Sequence, residues 1–94
     1  MKNILITGAN SYIGESVEAW LLKSHEYQVD TLDMKSDTWR EYDFSRYDVI
    51  FHVAGIAHIK AEPELYDKVN RELAIETAQK AKNAGVRQFI LLSS

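Results

Sequence analysis

The chain has 94 residues, and its formal net charge of -3 arises from interspersed acidic and basic residues. Apolar residues make up 46% of it, which predicts a single compact domain and excludes a disordered tail. There is no basic stripe and no cysteine, so we expect no nucleic-acid partner, no disulfide and no thiolate nucleophile. No apolar run approaches membrane-spanning length or resembles a signal peptide, which leads us to expect a cytoplasmic protein without membrane contact.

The first half of the chain alternates strand-like and helix-like segments. Residues 3–7 form an apolar run that ends at Gly8, as is typical of strands covered on both faces. Residues 12–23 space their apolar side chains three and four apart, which predicts an amphipathic helix. A second strand is predicted over residues 27–32 and ends at Asp33.

The second half continues the alternation. A polar passage after Asp33 leaves room for one brief strand around residues 39–42, and an apolar strand follows at residues 48–53. A long helix is predicted over residues 62–84, where Gly85 ends it. With a last strand over 88–92, the sequence predicts an α/β fold with a doubly wound sheet of about five parallel strands.

The connection between the first strand and the first helix carries the clearest functional signal. It reads Thr-Gly-Ala-Asn-Ser-Tyr-Ile-Gly over residues 7–14, so two glycines lie six apart where the strand turns into the helix. The amino end of that helix offers N–H groups and a positive dipole end to a pyrophosphate. Asp33, which lies 19 residues after Gly14, ends the next strand, where an acid can bind the adenosine ribose hydroxyls. The pattern predicts a dinucleotide site.

Two other phosphate-binding folds fit these residues poorly. A P-loop requires lysine after its last glycine, but Glu15 follows Gly14. A receiver-type signalling domain requires an acidic cluster at the first strand and a lysine at the last, and Gly8 and Ser93 occupy those regions. We therefore reject both folds.

Five segments together resemble the extended short-chain dehydrogenase/reductase family of nucleotide-sugar epimerases, dehydratases and reductases. The matching motifs are the turn at residues 7–14, Asp43-Phe44, Phe51-His52-Val53-Ala54-Gly55, Tyr66-Asp67-Lys68-Val69-Asn70 and the segment from Gly85 to Ser94. The resemblance covers nearly the whole chain and implies a Rossmann NAD(P)-binding fold. The implied cofactor-binding residues are Gly8, Asn10, Ser11, Tyr12, Ile13, Gly14, Asp33, Asp43, Phe44, Val53, Ala54, Gly55, Asn70 and Ser93.

Particular roles within that set also follow from the resemblance. Asp43 and Phe44 would contact the adenine, and the backbone at residues 53–55 would pass beside the cofactor. Asn70 would lie near the nicotinamide side, and Ser93 would be a cofactor neighbour.

The sequence departs from the family pattern in three places. Ser11 replaces the middle glycine of the turn; we read it as tolerated, since serine caps helices, although its side chain can also push the dinucleotide outward. Only nine residues separate Asp33 from Asp43, which shortens the adenine pocket. No Tyr-x-x-x-Lys pair occurs, so we assign no catalytic residue and expect this truncated chain alone to be inactive. The catalytic and substrate-binding portion is expected beyond Ser94.

Two functions remain open. In the first, residues 1–94 are the NAD-binding part of an enzyme, an oxidoreductase or isomerase, that transiently oxidises a nucleotide-sugar substrate by hydride transfer to NAD. In the second, they belong to a non-catalytic NAD(P)-binding or sensor protein. Asp33 favours NAD because a carboxylate repels a 2′-phosphate, while Lys35 leaves NADP open. We also expect a homo-oligomer, since the family's long helix packs against its twin and a half-domain exposes apolar surface.

The histidines are expected to be core or loop residues. His52 lies in an apolar strand, and His58 follows six residues later beyond a turn. No carboxylate or cysteine lies at ligand spacing from them, so we predict no metal site.

Overall fold

A computed structural model describes residues 2–8, 12–34, 37–54 and 63–93. Its elements are β1 Lys2–Thr7, α1 Tyr12–Leu22, β2 Tyr27–Leu32, a 3₁₀ helix Asp37–Glu41, β3 Val49–Ala54, α2 Pro63–Asn83 and β4 Gln88–Ser93. Apart from the brief strand, every predicted element is present within one residue of its expected bounds. None of the helices in these ranges combines the length and apolar character needed to cross a membrane.

The strands of the described chain form one parallel sheet in the order β2-β1-β3-β4. Within it, Ile4 of β1 pairs with Val29 of β2 on one side and with Val49 of β3 on the other. The chain passes from β1 through α1 to β2, whereas it passes from β3 through α2 to β4 in the opposite direction. This arrangement confirms the doubly wound α/β fold.

Separate apolar clusters cover the two faces of the sheet, because successive side chains of a strand point to opposite faces. Ile4 belongs to the cluster that includes Leu21 of α1. Leu5 and Ile50 belong to the cluster on the other face, which includes Ala81 of α2. The core therefore lies in two layers, one on each side of the sheet.

The connection between β2 and β3 differs from its prediction. Residues 39–42, expected as a brief strand, form part of the 3₁₀ helix and the bend after it, so the described sheet has four strands rather than about five. Trp39 explains the difference, since its side chain is 2% exposed and packs in the cluster beneath α2. Arg40 forms an ion pair with Glu76, and Lys80 Nζ donates to the Arg40 carbonyl at 2.9 Å. Residues 39–42 therefore pack against α2 and do not pair with a strand of the described sheet.

The long helix α2 ends just before Gly85, as the sequence predicts. Gly85 has φ +82°, and its N–H donates to the Lys82 carbonyl at 3.1 Å. The Val86 N–H donates to the Ala81 carbonyl at 3.0 Å. These two bonds form the Schellman pattern that satisfies the last carbonyl groups of a helix.

A polar cluster holds the loop before β3 against β2. The Tyr47 hydroxyl donates to Asp30 Oδ2 at 2.7 Å, and Arg46 donates to the hydroxyl oxygens of Tyr42 and Tyr47 at 2.9 and 2.8 Å. Burial and the hydrogen bonds with Tyr42 and Asp30 raise the pKa of Tyr47 above its ordinary value, and they outweigh the bond from Arg46, which lowers it. Tyr47 is therefore a neutral, structural phenol at physiological pH.

Candidate functional site

The carboxyl ends of the strands lie along one edge of the sheet. Thr7 of β1 is level with Leu32 of β2 and with His52 of β3, and Ala54 is level with Ser93. The connections that follow β1 and β3 leave in opposite directions, so the gap between these strands is the topological switch point. Open α/β sheets bind their ligands in the crevice at such a point.

Gly8 lies in this crevice where β1 ends. Its φ of +85° is a left-handed conformation that residues with side chains rarely adopt. A β-carbon at Gly8 would lie 2.8 Å from the Val53 carbonyl oxygen and 3.2 Å from Val53 Cβ. The Gly8 N–H donates to the Leu32 carbonyl at 3.0 Å. Both the conformation and the available space therefore require glycine at this turn.

α1 begins at Tyr12, four residues after Gly8, and packs over β1 and β2. Its first turn contains Ile13 and Gly14, and Gly14 is buried, as expected where a helix approaches a strand closely. Since α1 follows the carboxyl end of β1, its amino end and positive dipole end lie at the same edge as the crevice.

Asp33 directly follows β2 and is exposed. Because Leu32 is level with Thr7, Asp33 comes at the height of Gly8 on the neighbouring strand. An acid in this place after the second strand is positioned to accept hydrogen bonds from a ribose. Gly8, the amino end of α1 and Asp33 thus meet at one edge of the sheet.

The ends of β3 and β4 form the other side of this edge. Val53 is buried on the α1 face, and its carbonyl oxygen lies beside Gly8. Ala54 and Ser93 end their strands in register, and Asn70 lies in the second turn of α2, which begins at this edge. Three further predicted residues lie outside the described part of the chain: Asn10, Ser11 and Gly55.

The structure does not bring Asp43 and Phe44 to this edge. The Tyr47 N–H donates to the Phe44 carbonyl in a turn, and the next residue, Asp48, donates its N–H to the Asn3 carbonyl near the start of β1. The pair therefore lies towards the amino ends of the strands, on the α2 face. Phe44 is 1% exposed and is a core residue there.

Asp43 is held locally at that position. Its Oδ1 atom accepts hydrogen bonds from the Ser45 hydroxyl at 2.6 Å and from the Ser45 N–H at 2.8 Å, and these bonds lower the pKa of Asp43. The short connection after Asp33 has to cross from one edge of the sheet to the other before β3 begins. This position does not support the adenine contact predicted for Asp43 and Phe44.

The structure contains a buried polar pair at the crevice that was not predicted from the sequence. Thr7 Oγ1 lies 2.7 Å from His52 Nδ1, and both side chains are almost fully buried. The imidazole stacks on Phe89, and burial lowers the pKa of His52 to about 4. In the sequence, Thr7 and His52 are each marked only as a polar residue near the end of an apolar strand. No described residue, these two included, belongs to a group of three potential metal ligands.

The strand order, the crevice between β1 and β3, the glycine turn and the acid after β2 define an α/β domain of the Rossmann type. The chain belongs to the NAD dependent epimerase/dehydratase family, because the model of that family matches residues 4–94. This membership agrees with the resemblance found in the sequence motifs.

The proteins matched in sequence and structure are considerably longer than the chain. A UDP-glucose 4-epimerase from Vibrio cholerae is 28% identical over an alignment of 114 positions, which covers 99% of this chain and 35% of that protein. The capsular polysaccharide assembling protein CapF from Staphylococcus aureus is 20% identical, with a TM-score of 0.49 over 96% of this chain and 30% of its own. CapF with the inhibitor 3-isopropenyl-tropolone is 19% identical, with the same TM-score. The chain thus spans about a third of the length of these proteins.

Proposed function

We propose that the crevice between β1 and β3 binds NAD, with the pyrophosphate at the Gly8 turn and the amino end of α1. The contact between Gly8 and Val53 carries this proposal, since it leaves no space for a side chain where β1 turns towards the helix. Phosphate oxygens can approach the main chain closely at such a turn, where the helix dipole favours negative charge.

Asp33 supports the choice of NAD over NADP. Its carboxylate is exposed immediately after β2, at the height of Gly8. An adenosine ribose with both hydroxyls free can donate hydrogen bonds to this group, whereas a 2′-phosphate is repelled by its charge. The same residue thus favours one dinucleotide and disfavours the other.

The reaction proposed for the whole protein is the epimerisation, dehydration or reduction of a nucleotide sugar. Family membership and the relative named as a UDP-glucose 4-epimerase support it. Bound NAD would supply reversible hydride acceptance from a sugar carbon. Residues 1–94 would hold and orient that cofactor, and we assign none of them a catalytic role, since no Tyr-x-x-x-Lys pair occurs in the sequence.

Self-association is part of the proposal. Four large apolar side chains in the described chain are more than half exposed, and they are Trp20, Leu22, Ile75 and Leu91. Trp20 and Leu22 lie on α1, Ile75 lies on α2 and Leu91 lies on β4, so these elements present apolar surface that a second copy of the chain could cover. Sedimentation equilibrium should show dimers or larger species, and a monomer at high concentration would contradict this part.

Calorimetric titration of the 94-residue chain with NAD and with NADP tests the cofactor assignment. NAD should bind more tightly, and the heat of binding should disappear when ADP already occupies the site. If neither dinucleotide binds, or if NADP binds more tightly, the proposal fails. Chromatography of a nucleotide sugar incubated with the chain and NAD provides a separate check, because conversion of the sugar by this chain would show that it contains a catalytic group we have not assigned.

A further inference from the structure

Thr7 and His52 are the last paired residues of β1 and β3 before the crevice. Their side chains meet on the α2 face, where Thr7 Oγ1 and His52 Nδ1 are 2.7 Å apart. Gly8 follows Thr7 directly, and Val53, which Gly8 contacts, follows His52 directly. The side-chain bond therefore links the two strands one residue before the contact that shapes the turn.

The Thr7 hydroxyl lies 2.7 Å from His52 Nδ1 and 3.4 Å from the Phe51 carbonyl, to which it can donate at the limit of hydrogen-bonding distance. The tautomer of the imidazole decides which of Thr7 and His52 donates in the shorter bond. In either tautomer Thr7 and His52 form a bond that an apolar side chain at either position would remove.

The second ring nitrogen shows that His52 is not the choice that stability alone would favour. Nε2 is buried and has no hydrogen-bond partner among the described residues. A buried polar nitrogen without a partner destabilises a fold, whereas an apolar side chain stacked on Phe89 would avoid that cost. The imidazole at this position is therefore explained by its bond to Thr7.

We propose that Thr7 and His52 are a positioning pair, which fixes the distance between β1 and β3 at the crevice and so holds the Gly8 turn in the geometry that receives a dinucleotide. This inference rests on the proposed NAD site for its ligand. Neither residue needs to touch the cofactor, because the pair acts through the main chain of Gly8 and Val53.

Substitution of Thr7 tests the hydroxyl. Thr7→Val keeps the shape of the side chain and removes the hydroxyl, and we expect the NAD dissociation constant to rise about tenfold. Thr7→Ser keeps the hydroxyl, so it should retain NAD binding within about twofold of the unmodified chain. Equal weakening by both variants, or unchanged binding by folded Thr7→Val, would overturn the pair.

His52→Leu provides a second test in which stability and binding should move in opposite directions. Leucine is similar in volume to imidazole and leaves no buried nitrogen without a partner, so the variant should unfold at an equal or higher urea concentration. Its affinity for NAD should nevertheless fall about tenfold, as in Thr7→Val. Loss of stability with unchanged affinity would show that His52 is only a core residue and would overturn the proposal.

Amide hydrogen exchange without cofactor separates this inference from the proposed function. The Gly8 N–H, bonded to the Leu32 carbonyl, should exchange faster in Thr7→Val and keep its rate in Thr7→Ser, while the Leu5 amide in mid-strand is unchanged in both. An unchanged Gly8 rate overturns the pair whether or not NAD binds. Faster exchange in a chain that does not bind NAD supports the positioning role and overturns the NAD site alone.

Discussion

Gly8 lies directly against the main chain of Val53, across the gap between β1 and β3. A β-carbon on Gly8 would be 2.8 Å from the Val53 carbonyl oxygen, whereas one on Gly85 would have no atom within 4 Å. Both glycines have left-handed backbones, with φ of +85° and +82°. The two positions therefore separate the effect of conformation, which they share, from the effect of close packing, which only Gly8 experiences.

Replacement of each glycine by alanine tests this difference. Gly85→Ala should lower the free energy of unfolding by about 1–2 kcal/mol, the cost of placing a side chain in a left-handed conformation. Gly8→Ala should lower it by about 3 kcal/mol or more, since the new methyl group also displaces the Val53 main chain. Urea unfolding followed by the fluorescence of Trp20 and Trp39 measures both. Equal losses in the two variants would contradict the packing argument.

Asp33 is expected to set the choice between the two dinucleotides. Asp33→Asn keeps the size of the side chain and removes its charge, so the preference for NAD over NADP should fall at least about tenfold, or about 1.4 kcal/mol. The ratio of the two dissociation constants measures this change. An unchanged ratio would mean that Asp33 does not face the adenosine ribose.

Asp43→Asn is the matched control for that experiment. Asp43 is also an exposed aspartate, but it lies towards the amino ends of the strands with its carboxylate held by Ser45. We expect this variant to bind NAD with the affinity of the unmodified chain. Weaker binding would restore the adenine contact that the sequence motif predicts for Asp43 and Phe44.

The glycine turn and the strands were predictable because their signals are local. Gly8 and Gly85 each mark a left-handed residue at the end of an element, and both lie where the apolar periodicity changes. The position of Asp33 follows from the same local pattern, since the end of β2 fixes it in the sequence. Local backbone chemistry is sufficient to place such residues.

Trp39 and Phe44 were not predictable in the same way, because their positions depend on a helix that lies far along the chain. Both pack in the cluster that includes Ala81 of α2. The sequence between Asp33 and Asp43 contains no signal for this distant partner. The bond between Thr7 and His52 escapes prediction for a similar reason, since it depends on the register between strands 45 residues apart.

The attachment of the 3₁₀ helix should depend on Trp39 far more than on the ion pair beside it. Trp39→Ala removes a large buried side chain and should lower the free energy of unfolding by about 3–5 kcal/mol. Glu76→Ala breaks an ion pair whose two side chains are each nearly half exposed, so its loss should stay below about 1 kcal/mol and shrink in high salt. A larger loss from Glu76→Ala than from Trp39→Ala would contradict this ranking.

His52 should make the stability of the fold depend on pH between about 4 and 6.5. Burial lowers the pKa of the folded imidazole from its ordinary value of 6.5 to about 4, whereas the unfolded chain keeps the ordinary value. As the pH falls through this window, the unfolded chain takes up a proton that the folded chain excludes. The stabilisation is therefore complete above pH 6.5 and is lost towards pH 4, by about 3 kcal/mol in total.

The comparison with His52→Leu isolates this contribution, because the two proteins differ only at residue 52. Urea unfolding at pH 4, 5, 6 and 7 should show a difference in free energy between the two that is constant above pH 6.5. Below pH 6.5, the unmodified chain should lose stability relative to the variant, because His52 takes up a proton on unfolding and leucine cannot. Parallel pH profiles for the two proteins would mean that the folded chain protonates His52 as readily as the unfolded one, which its burial beside Thr7 and Phe89 argues against.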